Sequence, residues 1–227
     1  MINDLLIATG ETLLMTFVSL IISYIVGILV AFICVETSQN GLFKNRFINT
    51  ICNCIIAVGR AIPFVILLVL ILPFTRWLVG TGIGTISVIV PLTICAIPFS
   101  ARIVETSLKK IDKWTILAAK MDNAPKRKII IQIKLMSIIP ELIEGFGMVG
   151  ISIVGYTTMA GIVGGGGLGN YAITYGIQRY DWLAVLLSTI IIVLIVMLIQ
   201  FSTHFIAKKI RRWNYEKIII GKFFSSY

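Results

Sequence analysis

Apolar residues in this chain gather into long unbroken runs rather than recurring at helical or strand spacing. The first run, residues 13–35, carries no charge, and others fall at 47–74, 83–104, 138–163 and 182–206. Each can supply about 20 residues, enough to cross a hydrocarbon core of about 30 Å at about 1.5 Å per residue. None alternates as a barrel strand would, and backbone in lipid must satisfy its own hydrogen bonds. The pattern predicts an all-α transmembrane fold of about five spanning helices, forming one domain over residues 1–227. Three runs are imperfect: the second holds Arg60 and Pro63, the third Pro91 and Pro98, and the fourth opens with Glu141 and Glu144.

Composition agrees with the membrane reading. The chain is 58% hydrophobic and 13% charged with a mean hydropathy of +0.98, against about 45–50% and about 25% in soluble domains. The start, MINDLLIATGE, has Asp4 and Glu11 but no basic residue. It therefore does not read as a secretory signal, and the first helix is expected to stay in the mature protein. Cys34, Cys52, Cys54 and Cys95 lie in or beside apolar runs without a CxxC pair. They read as small buried hydrophobes, and no metal site is predicted.

Charge sets the expected orientation. Lys44 and Arg46 follow the first span, eight lysines and arginines lie in the polar stretch 109–137, and a basic tail including Lys208, Arg211, Lys217 and Lys222 closes the chain. Basic residues mark cytoplasmic loops, which places the amino terminus outside and the carboxyl terminus in the cytoplasm. The net charge of +10 then reflects topology and anionic lipid, not nucleic acid.

The stretch 109–137 is more than a connector. Asp112 reads as an N-cap, Ile111 and Ile116 occupy the positions of a hydrophobic staple, and Ile116, Leu117, Ala118, Ala119 and Met121 give a short, largely apolar helix. Asn123 suits a left-handed residue at its end, and Ala124–Pro125 stops it. Such a helix needs a membrane surface or a partner's groove to cover it; the small pair Ala118–Ala119 favours a partner. The following KRKIIIQIKLMS reads as a basic, partly amphipathic lead-in to the fourth span.

This segment resembles the coupling helix of ABC importer permeases, whose core is Glu-Ala-Ala, three residues, then Gly. The match is Leu117, Ala118, Ala119 and Asn123, with the family's downstream proline at Pro140. Leu117 lacks the family's carboxylate, whereas Asn123 keeps the left-handed preference of glycine. The stretches GRAIPFVILLVLILPFTRWLVGTGIG, IVPLTICAIPFSARIVETSL and VGYTTMAGIVGGGGLG resemble, in order and spacing, the methionine-importer permeases.

The resemblance implies a homodimer in the bacterial cell membrane that carries methionine or a close amino-acid relative. It also implies two cytoplasmic ABC ATPase subunits and an extracytoplasmic substrate-binding lipoprotein. ATP and Mg²⁺ would be bound by the ATPase, since this chain has no GxxxxGK[ST], and no cofactor is expected on it. Tyr156 and Met159 are pathway or gate candidates. Arg60 is either a third or a surface residue at the start of a shorter second span. Gly164, Gly165, Gly166 and Gly167 read as flexible backbone and, by the resemblance, as the docking surface for the binding protein.

Glu105, three residues after Arg102, reads as a solvated or Arg102-paired helix end, and Glu141 and Glu144 are expected to cap or pair near basic residues of the 109–137 loop. His204 reads as an interfacial residue. No nucleophile–base constellation or metal-ligand spacing is present, so no catalytic residue is expected. A permease for another small solute, or a membrane scaffold for a cytoplasmic partner, remains open. A secondary transporter is disfavoured because the spans show no internal repeat.

Overall fold

The computed structural model of the chain describes residues 2–224, with side chains through residue 212. Lys217 and Lys222 of the basic tail lie outside the described side chains. The described residues hold four helices long and apolar enough to cross a membrane, and a fifth candidate made of two helices that meet at a sharp bend.

Helix α1 (Ile2–Glu36) is longer than the uncharged run predicts. Its first turns carry Asp4 and Glu11, which find partners inside the protein: Tyr175 donates to Asp4 Oδ2 at 3.3 Å, and the backbone of Gly167 donates to Glu11 Oε2 at 2.6 Å. One face of α1 is a buried stripe of small and hydroxyl residues that includes Thr12, Thr16, Ser19, Ser23, Gly27 and Ala31. A Cβ on Gly27 would lie 2.5 Å from the Cβ of Ser100. Small residues let helix backbones approach closely in a bilayer, where apolar surface alone gives no drive to associate. This stripe makes α1 the principal neighbour of α4 (Thr85–Lys109).

The second predicted span is two helices. Asn45 caps α2 (Arg46–Ala61) by accepting from Phe47 N and Ile48 N, and α3 (Phe64–Val79) follows after a bend of 110°. Pro63 has no N–H to give a continuing helix, and it forces Ile62 into an extended conformation, ψ 121°. The single span expected at 47–74 is thus corrected to a bent pair reaching Val79, where Gly80 at φ 83° closes α3.

A short helix α5 (Lys113–Met121) follows α4. One turn, α6 (Lys126–Lys128), then runs into seven residues of π-helix, Ile129–Leu135. Helix α7 (Ile139–Ala160) ends in a 3₁₀ turn, Gly161–Val163. The glycine loop leads to α8 (Gly167–Tyr171), a π turn over Ala172–Ile177, and the long α9 (Trp182–Phe224). Asp181 caps α9 by accepting from Leu183 N at 3.1 Å.

The largest buried cluster lies among α1, α3, α4 and α7, around Met15, Leu20, Leu68, Leu92, Val104 and Ile153. Helix α9 packs mainly on α7 and leaves Leu194, Leu198, Phe201 and Phe205 on the outer face. The sequence matches this pattern, since apolar side chains on both faces of a helix suit lipid on one side and protein on the other.

Candidate functional site

Three places carry the residues singled out from the sequence. The first is α5. Asp112 Oδ1 accepts from Trp114 N at 3.1 Å, as its N-cap position predicts. At the other end Ala124 N donates to Ala119 O and Asn123 N to Lys120 O, both at 3.1 Å, with Asn123 at φ 53°. Those two bonds around a left-handed residue form a Schellman motif, so both ends of this nine-residue helix are closed. Pro125 then sits at the start of α6.

No residue of α5 is buried. Trp114, Leu117 and Met121, at i, i+3 and i+7, form an apolar stripe, with Trp114 75% and Met121 76% exposed. Ile116, Ala119 and Ala124 are half-buried and Ala118 is exposed. Ile111, before the cap, packs against the main core cluster. Ile116 and Leu117 border a gap whose far wall is Gln39, Asn40 and Gly41 of the α1–α2 loop.

The second place is a cleft at the bend between α2 and α3. Arg60, distant in sequence from Tyr156 and Met159, lines one cavity of about 490 Å³ with them and with Pro63, Phe64 and Cys95. The Phe64 ring stacks on Tyr156 with centroids 5.0 Å apart and planes at 17°. A Cβ on Gly59 would fall 2.5 Å from Pro98 Cγ, which explains how the end of α2 comes so close to α4. Arg60 lies in the last turn of α2, exposed, with no hydrogen-bond or ion-pair partner among the described residues.

Arg60 and Phe99 also line a second cavity of about 240 Å³, bordered by Arg102, Lys110, Glu141 and Glu144. The cleft therefore passes from aromatic and thioether side chains to charged ones. Glu105 pairs with Arg102 at 2.8 Å, as expected, and also with Lys109. Glu141 and Glu144 do not pair with the loop. Their partner is Arg211 of α9, at 3.8 and 3.1 Å, because α9 packs beside α7 at the end where the two acids stand. His204 is exposed on α9.

The third place is the glycine loop. Gly164, Gly166 and Gly167 have φ of 77°, 79° and 74°, which only glycine adopts without strain. The loop is pinned rather than loose: Gly167 N donates to Glu11 and Leu168 N to Thr12 Oγ1 at 2.8 Å. Gly165 and Gly167 are buried, while Gly164 and Gly166 are half-exposed. Reading these glycines as flexible backbone is corrected, because the first turns of α1 supply acceptors for the N–H groups that open α8.

One residue pair escaped the sequence reading. Glu36, the last residue of α1, and Lys134, in the π-helical segment, form an ion pair with side chains 7% and 4% exposed. The available signal was a carboxylate closing an apolar run with no basic residue within a helical turn of it.

Known proteins resemble the chain over most of its length. A family model, the binding-protein-dependent transport system inner membrane component, matches residues 23–213. A probable D-methionine transport system permease protein of Pasteurella multocida is 43% identical over 194 residues, which cover 86% of this chain and 89% of that protein. A methionine import system permease protein of Bacillus subtilis is 38% identical over 164 residues, covering 72% and 74%. The inward-facing MetNI methionine ABC transporter superposes with a TM-score of 0.90 at 36% identity, over 92% of this chain and 97% of that one. An amino acid ABC transporter crystallised with histidines superposes at 0.71 with 18% identity, a likeness of fold.

Proposed function

The chain belongs to the family of binding-protein-dependent transport system inner membrane components, and from there we propose that it forms the translocation pathway of an ATP-driven methionine importer. The relatives named for methionine transport support this substrate. Two copies assemble around the pathway, with the amino terminus outside and the carboxyl terminus in the cytoplasm. Two ABC ATPase subunits bind from the cytoplasm and supply ATP and Mg²⁺, and a substrate-binding lipoprotein delivers ligand from outside.

The observation that carries this reading is α5: a helix closed at both ends, with no buried residue and an apolar stripe of Trp114, Leu117 and Met121. A nine-residue helix is marginal alone, below the roughly 12–15 residues that isolated helices need. Its conformation is held ready for a groove on the ATPase, with the residues Ile116 to Pro125 as the contact. Closure of the ATPase pair then displaces α5 and switches the helices between inward- and outward-facing states. Arg60, Tyr156 and Met159 line the path, where a flexible thioether suits a deformable constriction. The rim at Gly164–Gly167 meets the binding protein.

The test is Ala119→Arg, which places a long cation on the half-buried side of α5. Co-purification of the ATPase with the permease should fall sharply. Unchanged ATPase recovery and unchanged uptake would remove α5 as the docking element.

A further inference from the structure

The Glu36–Lys134 pair joins two segments that no local sequence signal connects. Glu36 Oε2 also accepts from Leu42 N at 3.1 Å, and its carbonyl accepts from Phe43 N at 3.0 Å. A Cβ on Gly41 would lie 2.1 Å from that same carbonyl, so the loop wraps tightly around the end of α1. Thr37 O accepts from Asn45 N, and Asn45 in turn caps α2. On the other side, Lys126 stands 4.6 Å over the ring of Phe43. The end of α1, with the loop 37–45 bonded to it through Glu36, is thus held to the coupling segment 126–135 by one buried ion pair and, at Phe43, one cation–π contact, and the loop joins α2 through the Asn45 cap.

A buried ion pair is a poor device for stability alone, because desolvation offsets most of its attraction and apolar residues of similar volume commonly do as well. An apolar residue was available here. Leu135, next to Lys134, and Ile130, four residues before it, line an apolar hollow against Ile28, Leu29 and Phe32 of α1. What the pair adds is a fixed register between the two segments. Helix α5 packs chiefly on the same π-helical segment. A displacement of α5 therefore bears on the segment that holds Lys134.

We propose that the Glu36–Lys134 pair is a second mechanical link of the transporter, carrying motion of the coupling segment through the 37–45 loop into α2 and the Arg60 cleft. It acts alongside the direct continuation of the segment into α7. Both residues are positioning residues and touch no substrate. The inference rests on the reading of α5 as the ATPase-docking helix.

The experiment uses the whole transporter, permease with ATPase and binding protein, in proteoliposomes, and reads ATP hydrolysed per methionine imported. That ratio does not change when only the folded fraction falls. Glu36→Gln keeps an acceptor for Leu42 N, and Lys134→Met keeps the volume. Each variant, and the two combined, should raise the ratio at least about fivefold, the low end of measured coupling effects. Lys134→Arg should stay near the wild-type ratio. A wild-type ratio in the combined variant overturns the link.

A second measurement needs no disruption of the pair: spin labels on exposed Gln39 and Lys128, introduced as unnatural amino acids. Their distance distribution should stay the same through the ATP cycle, and a shift between nucleotide states overturns the link. If Ala119→Arg leaves the ATPase attached, the docking reading itself fails. If docking holds and the ratio does not move, only the link fails.

Discussion

Removing the cap of α5 by Asp112→Ala is the most informative single perturbation of the docking element. Asp112 is exposed and, among the described residues, makes one hydrogen bond, to Trp114 N, so the change deletes little else. Losing such a cap destabilises a helix by about 1 kcal/mol, within a range of about 0.5–2. At about 1.4 kcal/mol per tenfold, the helix–coil equilibrium constant falls by about fivefold and at most by about thirtyfold, which bounds the fall in helical population. Where only the helical form docks, the apparent dissociation constant for the ATPase rises in inverse proportion to the helical fraction, by up to the same factor. Titration of labelled ATPase onto the solubilised permease measures it. Asp112→Ser retains a capping oxygen and should recover affinity to within about twofold of the wild type. Equal weakness of the serine and alanine variants would show that the charge, not the cap, matters. No loss in an alanine variant whose α5 has lost helical content would refute docking through a helical α5, and a loss beyond about thirtyfold would mean that Asp112 touches the ATPase directly.

Two further outcomes follow from the packing of the outer side. Gly169→Ala would place a Cβ 2.3 Å from the carbonyl oxygen of Thr158, so thermal unfolding in detergent should show a loss of about 1–3 kcal/mol; Gly10→Ala, with nothing within 4 Å, is the control and should not destabilise. Glu11→Ala removes the acceptor for Gly167 N and leaves a donor unsatisfied, a penalty of about 1–3 kcal/mol on the loop. Stimulation of ATP hydrolysis by the binding protein should fall while ATPase co-purification is unchanged; undiminished stimulation would show that the loop's rigidity is irrelevant to docking.

Local features of this protein were legible from its residues, and long-range ones were not. The caps of α5 at Asp112 and Asn123 are decided within a few residues, so spacing alone locates them. The break at Pro63 was visible as a break, but not its 110° angle, which depends on how α2 and α3 rest on α4. Charges misled in one direction. Asp4 and Glu11 precede the uncharged run expected to form the first span, yet tertiary contacts with Tyr175 and Gly167 extend the helix through them. Glu141 and Glu144 were assigned to the loop nearest in sequence, and α9 supplies Arg211 instead. The pairing of Glu36 with Lys134 spans 98 positions, and no periodicity carries information over that separation. Of the site, Arg60 is legible only as a candidate apart from the neighbouring pair Tyr156 and Met159, and the fold brings all three to one cleft.

The central claim is that this chain forms the pathway of an ATP-driven methionine importer, and uptake into proteoliposomes tests it most directly. Permease, ATPase and binding protein are reconstituted together, with ATP enclosed and labelled methionine outside. Methionine should accumulate, and only when both ATP and the permease are present. An assembled complex that hydrolyses ATP in response to its binding protein yet accumulates no methionine would contradict it.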